Sequence, residues 1–390
     1  MERTDRRGFL AGAAGLAAAA VGLGARAEAA GNKRPAAGAA AAAGSKRPAA
    51  DLVQLDRVMP GPFRGRVVEV AHPGSIVDGR INREAVREMM ERGMLALTGE
   101  KDLASAWRRF FAKGDVVGVK VNPVGQPLAI SQPAVVLEVI EGLKKAGVPP
   151  QDILVFDRYR DQFIDAGYRD ILPPGVRWDA AASRFDEVQL GIEGYDPNVY
   201  VELPLIGKGI HDPNDPRARR SHVARIVTQR VTKIINLPVL KDHGTGGVTL
   251  ALKNMSHGLV NNVSRSHADR MMNACGQFIP AVVAAPAIRG KVVLHIMDAL
   301  RAVYEGGPSA DPRFVWEQKS LFFATDPVAM DRVGWAIMDV KRKEKGLPIV
   351  GESTWRGGAF RQPEHILFAG ALGLGESSLV RIERTRIPLG

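Results

Sequence analysis

The residues best suited to chemistry cluster in one stretch: Lys241-Asp242-His243, followed at once by Gly244, Gly246 and Gly247. A lysine offers a point charge or, once desolvated, a base, and a histidine moves protons near neutral pH. Glycines beside them allow sharp turns, and a helix starting at Val248 would aim its free N–H groups into the same space. On that helix Lys253 and His257 stand four residues apart and share a face. Lys241, Lys253 and His243 are therefore the catalytic candidates, two cations for an anionic ligand and an imidazole for acid–base work. Lys120, Asn122, Asp157, Asn236 and Asn254 are the candidate ligand-binding residues, since all but Asn254 lie at or next to the ends of strand-like runs. The plainer alternative has Lys253 and His257 facing solvent and the glycines forming only a tight turn.

Metal binding is the rival chemistry, with Asp298, Asp331 and His257 as candidate ligands for a divalent ion. No compact metal motif links them. Asp326 precedes Pro327 and reads as a helix N-cap, with proline at the first helical position. Asp331 lies one turn further on, where a buried acid needs a cationic or metallic partner. The segment 211–225 holds Arg217, Arg219, Arg220, Arg225 and two histidines, either a clamp for an acidic group or a solvated basic loop. Ser264–His267 lacks a nucleophile-elbow context, so a serine hydrolase is not expected. Met89-Met90 and Met271-Met272 suit core filling better than copper ligation.

The elements that must position these residues alternate. Strands are expected at 66–71, 115–121, 153–156, 232–237, 291–297 and 321–324. Helices are expected at 82–97, capped by Asn82, and at 101–112, 133–146, 248–257, 278–285 and 327–343. The pattern 115–156 is a strand–helix–strand unit with a right-handed crossover. Residues 160–222 are rich in Asp, Pro and Gly and read as an excursion or hairpin. The whole implies one α/β domain over 51–390, with a mainly parallel or mixed sheet flanked by helices.

Val119-Lys120-Val121-Asn122, Val155-Phe156-Asp157-Arg158, the run from Ile235 to His243, Lys253-Asn254, the run from His295 to Leu300 and the run from Ala324 to Asp331 together resemble the domain of unknown function 362 family, over roughly residues 114–345. The resemblance implies the fold more than a reaction. Many members of that family are exported by the twin-arginine route, and others carry ferredoxin-like cysteine motifs. Cys275 is the single cysteine of this chain, which excludes an iron–sulfur cluster held by it alone.

The chain has 390 residues and a formal net charge of +11. Residues 1–50 carry eight Lys and Arg against three acids, and the rest carry 45 against 39. That balance, with 6% aromatics, does not suit a nucleic-acid surface. Arg6-Arg7-Gly8-Phe9-Leu10 and the weakly apolar run to Ala25 look like a twin-arginine signal peptide over 1–27, cleaved after Ala27 or, alternatively, after Ala29. The run is too short for a permanent membrane span. Residues 28–50, rich in Ala, Lys and Pro, read as a disordered tether.

The expectation is a periplasmic protein whose partners are the twin-arginine machinery and an anionic small molecule. It is either an enzyme, with a metal or cofactor among its candidate requirements, or a non-catalytic binding or cofactor-chaperone protein. A redox protein would need a bound organic cofactor.

Overall fold

The computed structural model describes residues 59–207, 211–267 and 273–390. The expected signal peptide and tether, and the Met271-Met272 pair, lie outside the described residues.

Short β-branched runs make strands, and those at the centre of the sheet are buried on both faces. β1 (Arg66–Ala71) is followed by a two-strand ribbon, β2 (Ile76–Val77) and β3 (Arg80–Ile81). Helix α1 (Arg83–Thr98) starts at Asn82, whose side chain accepts from the Glu84 amide, and ends at Gly99 in the left-handed region. α2 (Leu103–Arg108) is half the length the sequence suggests, because Asp102 caps it and the chain turns after Arg109. β4 (Val117–Lys120), α3 (Pro133–Lys145) and β5 (Ile153–Tyr159) form the expected strand–helix–strand unit, its strands parallel.

Residues 160–222 are more regular than their composition suggests. They contain α4 (Arg160–Asp165), α5 (Tyr168–Ile171) and β6 (Arg177–Ala182), which joins the main sheet beside β5. β7 (Tyr195–Glu202) and β8 (Arg220–Ala224) then pair as a separate antiparallel ribbon. β9 (Lys233–Asn236), β10 (Val239–His243) and β11 (Gly247–Val248) lead into α6 (Leu250–Leu259). The remaining elements are α7 (Cys275–Val283), α8 (Pro286–Arg289), β12 (Val292–Val303), β13 (Val315–Ala324), α9 (Pro327–Glu344), α10 (His365–Ala371) and β14 (Glu383–Pro388).

The main sheet runs β14-β1-β13-β12-β9-β4-β5-β6, with β10 also pairing with β12. From β12 to β6 all pairings are parallel, whereas β13 is antiparallel to both β12 and β1. This is an α/β fold with a mixed sheet. One face packs on α1, α2, α3 and α5 through residues such as Met89, Trp107, Val139 and Tyr168. The other packs on α6, α7, α9 and α10 through Met255, Phe278, Met330 and Ile366. Adjacent residues of one strand, such as Ile234 and Ile235, serve opposite faces. Among the described residues no helix is long and apolar enough to cross a membrane.

Candidate functional site

Of three adjacent parallel strands, β4 and β9 end at one level and β5 runs three residues further. Lys120 on β4 stands in register with Asn236 on β9 and with Phe156 on β5. β10 and α6 add Lys241 and Lys253, so groups distant in sequence meet outside the strand ends. They line a cavity of about 160 Å³ that includes Lys120, Asn122, Asp157, Arg158, Lys241, Lys253, Asn254 and His257. An engineered apolar cavity of about 150 Å³ admits benzene, so this space suits a small molecule.

Each cation has a different environment. Lys120 is buried and ion-paired with Asp157, and it also donates to Val121 O at 2.7 Å. Gly258 makes room for it, since a Cβ there would come within 2.5 Å of Lys120 Cε. Its charge is therefore neutralised within the protein, which leaves it a poor holder of an anionic ligand. Lys241 donates to Asn122 Oδ1 at 2.9 Å and to Val124 O. Burial, and then the neighbouring Lys253, push its ammonium down to about 7. Lys253 is 7% exposed and lines the cavity, yet its Nζ has no hydrogen-bond acceptor among the described residues. Burial pushes it down to about 8.

Arg158, one residue beyond Asp157, is not among the residues expected at the site. It is buried and lines the cavity, and it donates to Gln189 Oε1 at 2.9 Å and more weakly to Tyr195 Oη and His257 O. No carboxylate pairs with it among the described residues. Tyr159, also in the lining, carries a buried hydroxyl without a partner there. The available signal was an arginine inside an otherwise apolar strand run, a position where a charge has to have a purpose.

The asparagines form a chain. Lys241 Nζ donates to Asn122 Oδ1, Asn122 Nδ2 to Asn254 Oδ1 at 3.1 Å, and Asn254 Nδ2 to Asn236 Oδ1 at 2.7 Å. Asn236 Nδ2 then reaches Ala251 O and His295 Nδ1. Asn122 and Asn254 thus border the cavity, whereas Asn236 braces them from behind.

His243 is fixed as a neutral imidazole. Its Nδ1 lies 3.1 Å from the amides of both Thr245 and Gly246, so it must present a lone pair there and carry its proton on Nε2. Burial, reinforced by Lys253 and His267, holds it well below the usual histidine range. An Nε2–H donor of this kind polarises a neighbour but does not accept a proton near neutral pH, which departs from the expected acid–base role.

The helix after the glycines also differs from expectation. It begins at Leu250, and its Ala251 and Leu252 amides donate to Asp331 at 2.7 and 2.8 Å. They are capped and do not point free at an anion. Asp331 is thereby occupied, with burial raising its carboxyl well above the ordinary range while the two amides oppose that shift. Asp298 likewise accepts from the Gln132 amide at the start of α3, at 2.8 Å, and from Leu300. Burial pushes it up to about 7. Both acids cap backbone amides and neither lies in the cavity lining, so the structure gives them a structural place distinct from the expected metal ligation. Asp326 is the N-cap of α9, as read from sequence, and also accepts from Gly65 and Glu376 amides.

His257 lines the cavity and contacts Ser256, Ser266, the His267 ring and Phe278. The basic segment 211–225 does not converge on an anion. Arg217 pairs with Asp215, Arg220 with Glu202, and Arg225 donates to Tyr195 O.

The family described as "Domain of unknown function (DUF362)" matches residues 117–336, more than half of the chain and the span that holds the whole cavity wall. The chain belongs to that family. No curated protein matches this DUF362 chain. Among solved structures, the lactate racemase apoprotein from Thermoanaerobacterium thermosaccharolyticum is similar at 10% identity and a TM-score of 0.35, over 62% of this chain. The DUF362 protein spans about half, 52%, of that structure, and a likeness this slight carries no argument about function.

Proposed function

We propose that this protein is an exported enzyme that moves a proton on a small anionic molecule held in the Lys241–Lys253 cavity. The observation that carries the reading is Lys253, a buried amine lining the cavity with no acceptor among the described residues. Facing the cavity, that amine gains from an acceptor, which a ligand's anionic oxygens would supply. Arg158, without a carboxylate partner among the described residues, stands in the same wall and adds a planar donor for a carboxylate or phosphate.

Lys241 is the proton-transfer group in this reading. With its ammonium at about 7, it exchanges a proton near neutral pH, where an ordinary lysine stays charged. Two of its N–H bonds are directed by Asn122 and Val124 O, which fixes where the third position points. His243 stands outside the cavity lining and takes no step in this reading. Export rests on the Arg6-Arg7-Gly8-Phe9-Leu10 stretch and the weakly apolar run after it.

The test uses acetate, phosphate and small 2-oxo carboxylates as probes, with binding read by calorimetry. At least one should bind, and Lys253→Met should weaken it at least tenfold. Equal affinity in the variant, or no binding by any probe, overturns the reading. Deuterium uptake from D2O into the C–H of the bound 2-oxo acid, followed by NMR, separates enzyme from carrier. Exchange should drop roughly 100-fold in Lys241→Met, with affinity kept within about threefold. Binding without exchange in the wild type makes the protein a non-catalytic binder.

A further inference from the structure

Behind Lys253, three side chains from consecutive segments converge. His257 comes from α6, His267 ends the 3-10 turn Ser264–His267, and Cys275 is the first residue of α7. One ring nitrogen from each histidine and the Cys275 Sγ all lie within 4.8 Å of one another. They surround the Ser266 hydroxyl, which is 3.0 Å from His257 Nε2, 2.6 Å from His267 Nδ1 and 3.9 Å from Cys275 Sγ. A small central atom can therefore replace that hydroxyl as their common neighbour.

Two imidazoles and a thiol suit a borderline-to-soft divalent ion, with metal–nitrogen bonds of about 2.0–2.1 Å and metal–sulfur bonds of about 2.3 Å. Such bonds place tetrahedral ligand atoms roughly 3.4–3.7 Å apart. From separations of up to 4.8 Å, the three atoms need to close by up to about 1.4 Å, a movement that rotamer adjustment and rotation of the Ser266 hydroxyl supply. The His243 ring stands edge-on to His267 with centroids 5.2 Å apart, but its Nδ1 is committed to backbone amides, so it supports the group from outside.

We propose that His257, His267 and Cys275 form a three-ligand site for a zinc-class divalent ion. Because His257 also lines the cavity, the fourth position opens toward the space that Lys253 faces, the arrangement of a metal that meets a ligand. Binding forms one sulfur–metal bond and breaks one S–H bond, and the proton leaves to solvent with no change of oxidation state. The thiolate charge offsets the repulsion between the ion and Lys253. This ligand set differs from Asp298 and Asp331, whose oxygens cap helices. It stands whether or not the cavity takes an anion.

The test is a titration of chelator-treated, full-length mature protein with Co2+ alone. Expected are one cobalt per chain, the visible bands of a four-coordinate ion, and a thiolate-to-cobalt charge-transfer band in the near ultraviolet. Cys275 is the chain's single cysteine, so that band reports it without ambiguity. His267→Ala should weaken cobalt binding at least tenfold with an unchanged far-ultraviolet circular dichroism spectrum. Cys275→Ser should lose the charge-transfer band. A wild-type protein that gives no saturable spectrum, or gives one without the sulfur band, overturns the proposal, and neither result depends on any variant folding. The absence of anion from the cell keeps this outcome separate from that of the cavity reading.

Discussion

Lys241 and Lys253 stand in one wall, and burial lowers both ammonium groups; Lys253 adds to the effect on Lys241, and Arg158 to that on Lys253. This has a consequence for stability. Both amines sit below the ordinary lysine value of 10.5 in the folded protein, at about 7 and about 8. Between those values and 10.5 the unfolded chain binds protons that the folded chain does not. Stability therefore rises with pH through that window, by up to about 1.4 kcal/mol per pH unit for each lysine, and the gain ends as pH falls through the folded value. Urea unfolding of wild type and Lys241→Met at several pH values between about 8 and 10 measures the slope. The variant should lose close to one proton's worth. Identical slopes would mean that Lys241 keeps its charge when folded.

At the scale of elements, the acids that looked available for metal hold helix starts together across the fold. Asp331 belongs to α9 and caps α6, whose own N-cap Thr249 makes no side-chain cap bond. Asp298 on β12 does the same for α3, where Gln132 lacks a side-chain cap. Removing Asp331 leaves two buried amides without acceptors, so Asp331→Ala should cost roughly 2–4 kcal/mol. The measurement is the urea midpoint, with Lys253 carried on the same helix as a check. If α6 shifts, the affinity of any cavity ligand should fall along with stability. A midpoint within experimental error of wild type would show that another group takes over the cap.

For the whole molecule, the segment after α9 is tied to the site by charge. Arg361 pairs with Asp242 at 2.8 Å and with Glu305 at 2.6 Å, and Arg342 joins Glu305 as well. Asp242 is the residue between Lys241 and His243, so this network holds the strand that carries both. Trp355 from the same segment packs against Gly244, where a Cβ would lie 2.6 Å from the indole. The other whole-molecule property is address. Replacement of Arg6 and Arg7 by lysine should retain the full-length chain in the cytoplasm, whereas wild type should reach the periplasm, with both read by cell fractionation. Equal distribution of the two would remove export from the proposal.

Period and punctuation made much of the architecture readable. β1, α1 and α9 emerge at nearly the expected bounds, because Asn82 and Asp326 mark helix starts by local hydrogen bonding. β12 and β13 run longer than expected, since cross-strand pairing extends them through polar residues that carry no periodic signal. β6 and β7 likewise acquire their strand character from partners far along the chain. The sequence by itself determined that lysines, histidines and asparagines would sit at strand ends, because apolar runs stop there. Only the tertiary structure decided which of them keep free charge. Lys120 meets Asp157, Asp331 meets two amides, and Arg158 and Lys253 meet no carboxylate among the described residues. The reason is that ionisation and hydrogen bonding depend on distances of a few ångströms between segments over a hundred residues apart, as with Lys241 and Asn122, and local pattern does not encode them.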